Sequence, residues 1–299
     1  MSARSVHERG AARSRANPKS LPRVQVIDFF SGCGGMSHGF AKAVTSHVRY
    51  QLMGAVDIDP YANATYHHML GVTPLDLDVA GLVQQAKLDE AVRHWGLSRA
   101  DPLLLIGCAP CQGFSSHRKR YDEKDERNSL LVTFGKIIIK MLPEVVVMEN
   151  VPEIFQEEHW RFFAKWRRML TDHGYTVRAR IHNLAQHGVP QERFRALVIA
   201  SKAWKHFRMP APTHMPEQFV TVRQAISHLP PLDVGGTGRD DPMHITSRHR
   251  PETVALLKLI PPDGGSQADL PPGAGPACLK VDGFRDVYGR LRWDAPANA

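Results

Sequence analysis

The chain has 299 residues but only four cysteines, Cys33, Cys108, Cys111 and Cys278. That is too few for a disulfide framework at this length. A reducing cytoplasm is the compartment this implies, with any special cysteine serving as nucleophile or ligand. No run of about 18 apolar residues exists, which excludes a membrane-spanning helix. The first 23 residues lack an apolar segment and carry six Lys/Arg against one Glu. They are therefore no secretory signal and read as a disordered basic arm, one that touches DNA phosphates or is simply solvated. Internal repeats are missing as well. Acidic residues are in deficit, leaving a net charge of +8. A basic balance favours an acidic partner such as nucleic acid, although solvated lysines and arginines give the same sum.

What is present is enough apolar sequence, 42% of the chain, for one sizeable α/β domain and a smaller second region. Residues 24–30 read as a buried strand, followed by a glycine turn and a helix from about Met36. Further strands are expected at 50–57, 75–77, 102–107, 144–148, 175–183 and 194–200, and helices at 60–69, 81–95, 128–142 and 158–173. Strands alternating with helices predict an α/β fold with a mostly parallel, doubly wound sheet. After residue 201 the composition shifts, and 13 of the 22 prolines fall in the last 99 residues. That stretch is expected to be loop-rich and separate. The expected division is a basic arm at 1–23, a catalytic and cofactor-binding domain at 24–200, and a second region at 201–299.

Ligands of open α/β sheets bind at the carboxyl ends of the strands, and five unusual segments fall there. Asp28-Phe29-Phe30-Ser31-Gly32-Cys33-Gly34-Gly35 is a strand, a glycine turn and a helix start. It lets backbone amides approach an anion or carboxylate, or is only a structural turn. Asp57 closes the second strand and suits the ribose hydroxyls of a nucleoside cofactor, whereas Asp59 suits a helix N-cap. Cys108-Ala109-Pro110-Cys111 has C-x-x-C spacing. No second pair follows at zinc-finger spacing, so no metal site is expected, and a redox pair lacks its usual surroundings. A nucleophilic Cys111 on a loop stiffened by Pro110 fits better. Glu149 closes an apolar strand, where a raised pKa would make it an acid, unless it caps the next helix. Arg193 and Arg195 alternate onto one face, fit for base edges, phosphates or carboxylates, or for a solvated sheet edge.

These segments, in this order, resemble the cytosine carbon-5 DNA methyltransferase family. The glycine turn resembles its first motif and Pro110-Cys111-Gln112 its catalytic motif. Glu149-Asn150-Val151 and Gln191-x-Arg193-x-Arg195 are similar to two later signatures, and Asp125-x-Arg127-Asn128-x-Leu130 to a smaller one between. The tail from Asp286 to Asp294 resembles the end of a target-recognition region. The resemblance implies a Rossmann-like, S-adenosylmethionine-dependent methyltransferase fold with a small, loop-rich target-recognition domain. It assigns Phe30, Gly32, Gly34, Gly35, Pro110 and Leu130 to the cofactor pocket. Asp57 would hold the ribose, Ile58 would pack on the adenine, and Asp78, or else Asp76, would receive the adenine amino group. Cys111 would be the nucleophile toward carbon 6 of a flipped cytosine. Glu149 and Arg195 would contact that base with Arg193 beside them, and Asn150 would position the Pro-Cys segment. The basic run Ser115–Arg120 would contact phosphates and close over the site.

The implied partner is double-stranded DNA, in a bacterial-type cytoplasm with the nucleoid and alongside a restriction-modification system. Two other readings stay open: a catalytically incomplete DNA-binding subunit, and a tRNA cytosine methyltransferase. The family carries two further motifs beyond the recognition region, and the chain reaches Ala299 before either. A truncated sequence, or one half of a split enzyme completed by a second chain, is therefore expected.

Overall fold

The computed structural model describes residues 21–110, 128–275 and 288–298. In chain order the elements are β1 (Arg23–Phe29), α1 (Gly35–Lys42), β2 (Arg49–Asp57), α2 (Pro60–Leu70), β3 (Leu75–Asp76), α3 (Gln85–Trp95), β4 (Leu103–Gly107) and α4 (Asn128–Met141). They continue with β5 (Val145–Asn150), α5 (Glu157–Asp172), β6 (Thr176–Asn183), β7 (Gln191–Glu192), β8 (Phe194–Ser201), α6 (Val222–Ile226), α7 (Pro251–Lys258) and β9 (Ala297–Asn298). Seven strands form one sheet in the order β3-β2-β1-β4-β5-β8-β6. The pairs β1–β2, β1–β4, β2–β3 and β4–β5 are parallel, and β8 runs antiparallel to β5. The architecture is a Rossmann-like, doubly wound α/β sheet.

Strand alternation sends side chains to two apolar layers. Ile27 and Phe29 of β1, Leu105 of β4 and Met148 of β5 point into the larger core, with Trp95, Phe134, Ile137 and Trp166 from α3, α4 and α5. Val26, Leu104 and Ile106 point the other way, against Met36 and Phe40 of α1. Burying both faces explains why these strands read as almost continuous apolar runs.

Local signals set the helix boundaries. Asp59 caps α2, accepting from the Tyr61 and Ala62 amides, and Pro60 occupies the first turn. Gly71 ends that helix at φ 70°. The helix expected over 81–95 is in two parts. Val79–Val83 is a 3-10 turn capped by Asp78, Gln84 is extended, and α3 starts at Gln85. Gly81 weakens the helical propensity there, and the Asp78 cap holds a tighter turn. Arg23, expected in the basic arm, is instead the first residue of β1 and pairs with Asp101. The rest of that arm, residues 1–20, lies outside the described residues.

By contacts the chain divides into two compact units, and not at residue 200. One comprises Met1–Arg180 and Ala196–Met209, the other Ile181–Arg195 and Pro210–Ala299. The chain leaves the first unit partway along β6 and re-enters it in β8. Within the second unit β7 pairs parallel with β9. Its last stretch returns onto α6, α7 and the loop after α7. The Arg290 guanidinium donates to the Leu257 carbonyl, and the Trp293 amide donates to Asp263. The Arg223 guanidinium grips Asp294 through two hydrogen bonds and lies over the Trp293 ring. So the described part of the tail, residues 288–294, is structural. Among the described residues only short elements occur in this unit, in keeping with its proline content.

Gly54 is the point where β2 meets α3. A Cβ there would sit 2.2 Å from Cδ1 of Trp95, an indole only 4% exposed and in edge contact with Phe29. Gly54→Ala should therefore lower unfolding stability by about 1–3 kcal/mol, the usual cost of overpacking a filled core. Denaturant unfolding by tryptophan fluorescence measures it, and an unchanged midpoint would contradict this packing.

Candidate active site

Register brings the strand ends into one row. Phe29 of β1 pairs with Val56 and with Gly107, Val56 pairs with Leu75, and Gly107 pairs with Met148. The residues one step on, Phe30, Asp57, Asp76, Cys108 and Glu149, thus lie at the same edge of neighbouring strands. A cavity of about 560 Å³ opens there. Of the residues anticipated for a cofactor, Phe30, Asp57, Ile58, Asp78, Pro110 and Leu130 line it. Asp76, the alternative to Asp78, belongs to β3 and is not part of the lining.

The glycine turn is built on Asp57. The Gly32 amide donates to its Oδ2 at 2.8 Å and the Asp59 amide to its Oδ1 at 3.0 Å. A carboxylate has about four acceptor positions, so roughly two remain for ligand hydroxyls. The turn twists through positive φ at Phe30 (57°), Gly32 (50°) and Gly34 (87°). For phenylalanine that conformation is strained, and such strain gathers at ligand sites. The three glycines serve different ends. A Cβ on Gly32 or Gly35 would meet nothing within 4 Å, leaving room for a ligand. A Cβ on Gly34 would collide with Leu70 and Tyr66, so Gly34 lets α2 close onto the turn.

The cavity walls suit a flat, partly polar guest. Ile58 is 67% exposed on one wall, an aliphatic surface that gains by being covered. Asp78 accepts from the Ala80 amide through one oxygen. The Ser31 hydroxyl is buried with no hydrogen-bond partner among the described residues. These features fit an adenosine-bearing molecule. Leu77, Val79, Ala80 and Cys108 also line the cavity and escaped the sequence reading. Cys108 could have been found, since it directly follows the end of β4. The others sit in or beside the 3-10 turn, which reads as a plain helix.

The catalytic segments are partly described. Asn150 is 1% exposed; its Nδ2 donates to the Ala109 carbonyl at 3.3 Å, and its Oδ1 accepts from the Val151 amide. It therefore grips the backbone two residues before Cys111. Glu149 is half-buried at the end of β5 and pairs in register with Leu197. The N-cap positions of the 3-10 turn after it and of α5 are Val151 and Gln156. Arg193 and Arg195 are both half-buried while Phe194 between them is exposed, so they alternate as expected. Both belong to the second unit. The Arg193 carbonyl accepts from the Leu184 amide, and Arg195 donates to the Phe194 carbonyl. Cys111, Asp125, Arg127 and the basic run Ser115–Arg120 lie outside the described residues, as does most of the tail before Tyr288.

Asp28 lies beneath this edge, a residue with no assigned role. It is 1% exposed. The Tyr66 hydroxyl donates to Ser37 Oγ at 2.7 Å, and the Ser37 hydroxyl donates to Asp28 Oδ2 at 2.6 Å. Burial pushes the Asp28 carboxyl up to about 7, the Ser37 hydrogen bond opposes this, and repulsion from Asp57 adds to it.

With this geometry in view, known proteins supply a context. Residues 24–245 match the model of the family described as C-5 cytosine-specific DNA methylase. The chain is similar to the Type II methylase M.HgiDII of Herpetosiphon aurantiacus, 29% identical over 275 residues, covering 91% of this chain and 74% of the relative. It is also similar to the Type II methyltransferase M1.HphI of Haemophilus parahaemolyticus, 31% identical, covering 91% of this chain and 68% of the relative. Among solved structures, a prophage-encoded E. coli protein described as a DNA modification methyltransferase superposes with a TM-score of 0.57 at 26% identity. That match covers 78% of this chain and 64% of the other. Among the described residues no helix is long and apolar enough to cross a membrane.

The buried Asp28 makes stability depend on pH. Its folded pKa, about 7, lies above the ordinary 3.8, so between these values the folded state holds a proton that the unfolded chain releases. Its contribution is fully present below about pH 4 and is lost as pH rises through 7. Asp28→Asn removes the effect. From pH 5 to pH 8 the variant should gain about 2.5–3 kcal/mol relative to the parent, since the difference spans roughly two units and each is worth about 1.4 kcal/mol. Urea unfolding of both proteins across that range measures the difference; parallel curves would refute the assignment.

Proposed function

This chain belongs to the C-5 cytosine-specific DNA methylase family, and on that premise we propose that it methylates carbon 5 of cytosine within a specific sequence of double-stranded DNA. The methyl donor is S-adenosylmethionine. The observation that carries the reading is the cavity at the strand ends, with Asn150 holding the backbone just ahead of Cys111. The net charge of +8 suits a polyanionic partner. The Type II names of its relatives favour a role in restriction-modification, hence in the cytoplasm beside the nucleoid.

The residues present fit the donor. Asp57 would hold the ribose with its two remaining acceptor positions, Ile58 would cover the adenine, and Asp78 would take the adenine amino group. When bound, S-adenosylmethionine supplies an electrophilic methyl group on a sulfonium. Carbon 5 of cytosine is too weak a nucleophile to take it unaided. The Cys111 thiolate adds to carbon 6, and the ring electrons shift to make an enamine nucleophilic at carbon 5. Glu149, protonated, supports nitrogen 3, and Arg195 holds oxygen 2, with Arg193 on the same strand face. Once carbon 5 is methylated, a base removes its proton and the thiolate leaves. Stacked duplex denies access to carbon 6, so the cytosine is extruded at a cost of roughly a few kcal/mol.

Mass spectrometry for 5-methylcytosine tests the reading, on unmethylated DNA incubated with the purified chain and S-adenosylmethionine. Product is the expected result. Product formed only after a C-terminal fragment of a relative is added would place part of the site on a second chain. No product under either condition, or methylation of tRNA in preference to DNA, would overturn the proposal. Cys111→Ala should lower methylation at least about a thousandfold, removal of a nucleophile being among the largest single losses an active site shows. DNA retention in a gel-shift assay should change less than about threefold, well below the cost of losing a base contact.

A further inference from the structure

The mechanism leaves Asp28 unused, yet a carboxyl buried in mid-sheet is costly unless something compensates it. No cationic side chain pairs with it among the described residues. The groups that face it are Ser37 of α1, Tyr66 of α2 and Asp57 of β2. Its neighbours in register, Ala55 and Ile106, are apolar. Burial raises the Tyr66 hydroxyl further above its ordinary range, so near neutral pH Tyr66 acts only as a fixed donor and Asp28 is the member of the chain that titrates.

The chain from Tyr66 through Ser37 to Asp28 ties together the elements that carry the cofactor turns. Asp28 lies two residues before Phe30. Ser37 sits in the first turn of α1, just after Gly32–Gly35. Tyr66 belongs to α2, which comes after Asp57 and Ile58 and packs against Gly34. An ionised carboxylate accepts a stronger hydrogen bond than a neutral carboxyl does. Deprotonation therefore tightens Ser37, and through it Tyr66, against β1. The opposing influence is Asp57, whose negative charge disfavours a second anion below it. A cation entering the cavity that Asp57 lines offsets that repulsion.

We propose that Asp28 is a positioning residue for the cofactor pocket, and that binding of the cationic cofactor drives the Asp28 proton into solvent. This rests on the proposed use of S-adenosylmethionine. The carboxyl loses a proton to the buffer, becomes an anion and locks the two turns in register. The demethylated product, S-adenosylhomocysteine, has lost the sulfonium charge, so it drives the proton out less and the turns slacken for release. Because the Asp28 equilibrium lies near 7, a modest change in field is enough to shift it.

Titration calorimetry of the full chain tests the coupling. S-adenosylmethionine and S-adenosylhomocysteine are titrated separately at pH 6, 7 and 8, each in two buffers of different ionisation enthalpy. For one proton released from a group near 7, affinity for S-adenosylmethionine should rise about tenfold from pH 6 to pH 8. Proton release to the buffer should be close to one at pH 6, and the homocysteine product should show a clearly smaller rise. The sulfonium draws the amino pKa of S-adenosylmethionine below that of S-adenosylhomocysteine, so the ligand's own titration is read from the Asp28→Asn profile and subtracted. Asp28→Asn should flatten the S-adenosylmethionine profile. If that variant does not fold, Ser37→Ala serves: it removes the hydrogen bond that holds the Asp28 pKa down, so the midpoint should move to higher pH. Equal pH dependence for the two ligands, or a profile unchanged in Asp28→Asn, would overturn the proposal while leaving the cofactor reading intact. Failure of either ligand to bind at any pH would overturn the cofactor reading and this proposal with it.

Discussion

Parallel pairing of β1 with both β2 and β4 obliges three strands to end in one row, and every proposed function of the first unit hangs from that row. Phe29, Val56 and Gly107 are neighbours in register, so the residues leaving each strand share one cavity. The hydrogen bond from the Gly32 amide to Asp57 then fixes the glycine turn against the next strand end. Without that tie, the strained φ at Phe30 would have little to hold it. The sheet supplies coincidence of position, and the carboxylate converts it into a shaped wall.

The architecture was largely readable because its signals are local and agree with one another. The apolar runs at 24–30, 102–107 and 144–148 are too short for surface helices, and they form β1, β4 and β5 within one or two residues. Asp59-Pro60 announced a helix start for the plain reason that it is one. The failures were tertiary. Nothing in Gly81-Leu82-Val83-Gln84 declares a 3-10 turn, because the competing helix differs by only one hydrogen-bond register. Arg23 looked like part of a basic tail, since its partner Asp101 is far along the chain.

The site was less evenly legible. Asp57 stands out through its place at a strand end, a rule that needs only the order of elements, whereas Ile58 and Asp78 come from the family resemblance. Cys108 obeys the same rule but was overshadowed by Cys111 two positions beyond Ala109. Asp28 heads the glycine turn, yet an acid inside an apolar strand carries no sign of a role until its partners Ser37 and Tyr66 are seen. Such partners are separated along the chain by a turn and a helix, and no periodicity joins them.

The chain's passage from one compact unit to the other and back carries an implication for inheritance. The second unit is assembled from two stretches, Ile181–Arg195 and Pro210–Ala299, with Ala196–Met209 threading back to the sheet between them. A gene exchange that replaced only the later stretch would leave Ile181–Arg195 in a unit with a stretch it was not matched to. Recombination between relatives would thus pass on the two stretches most readily as a matched set, the arginine strand travelling with the later stretch.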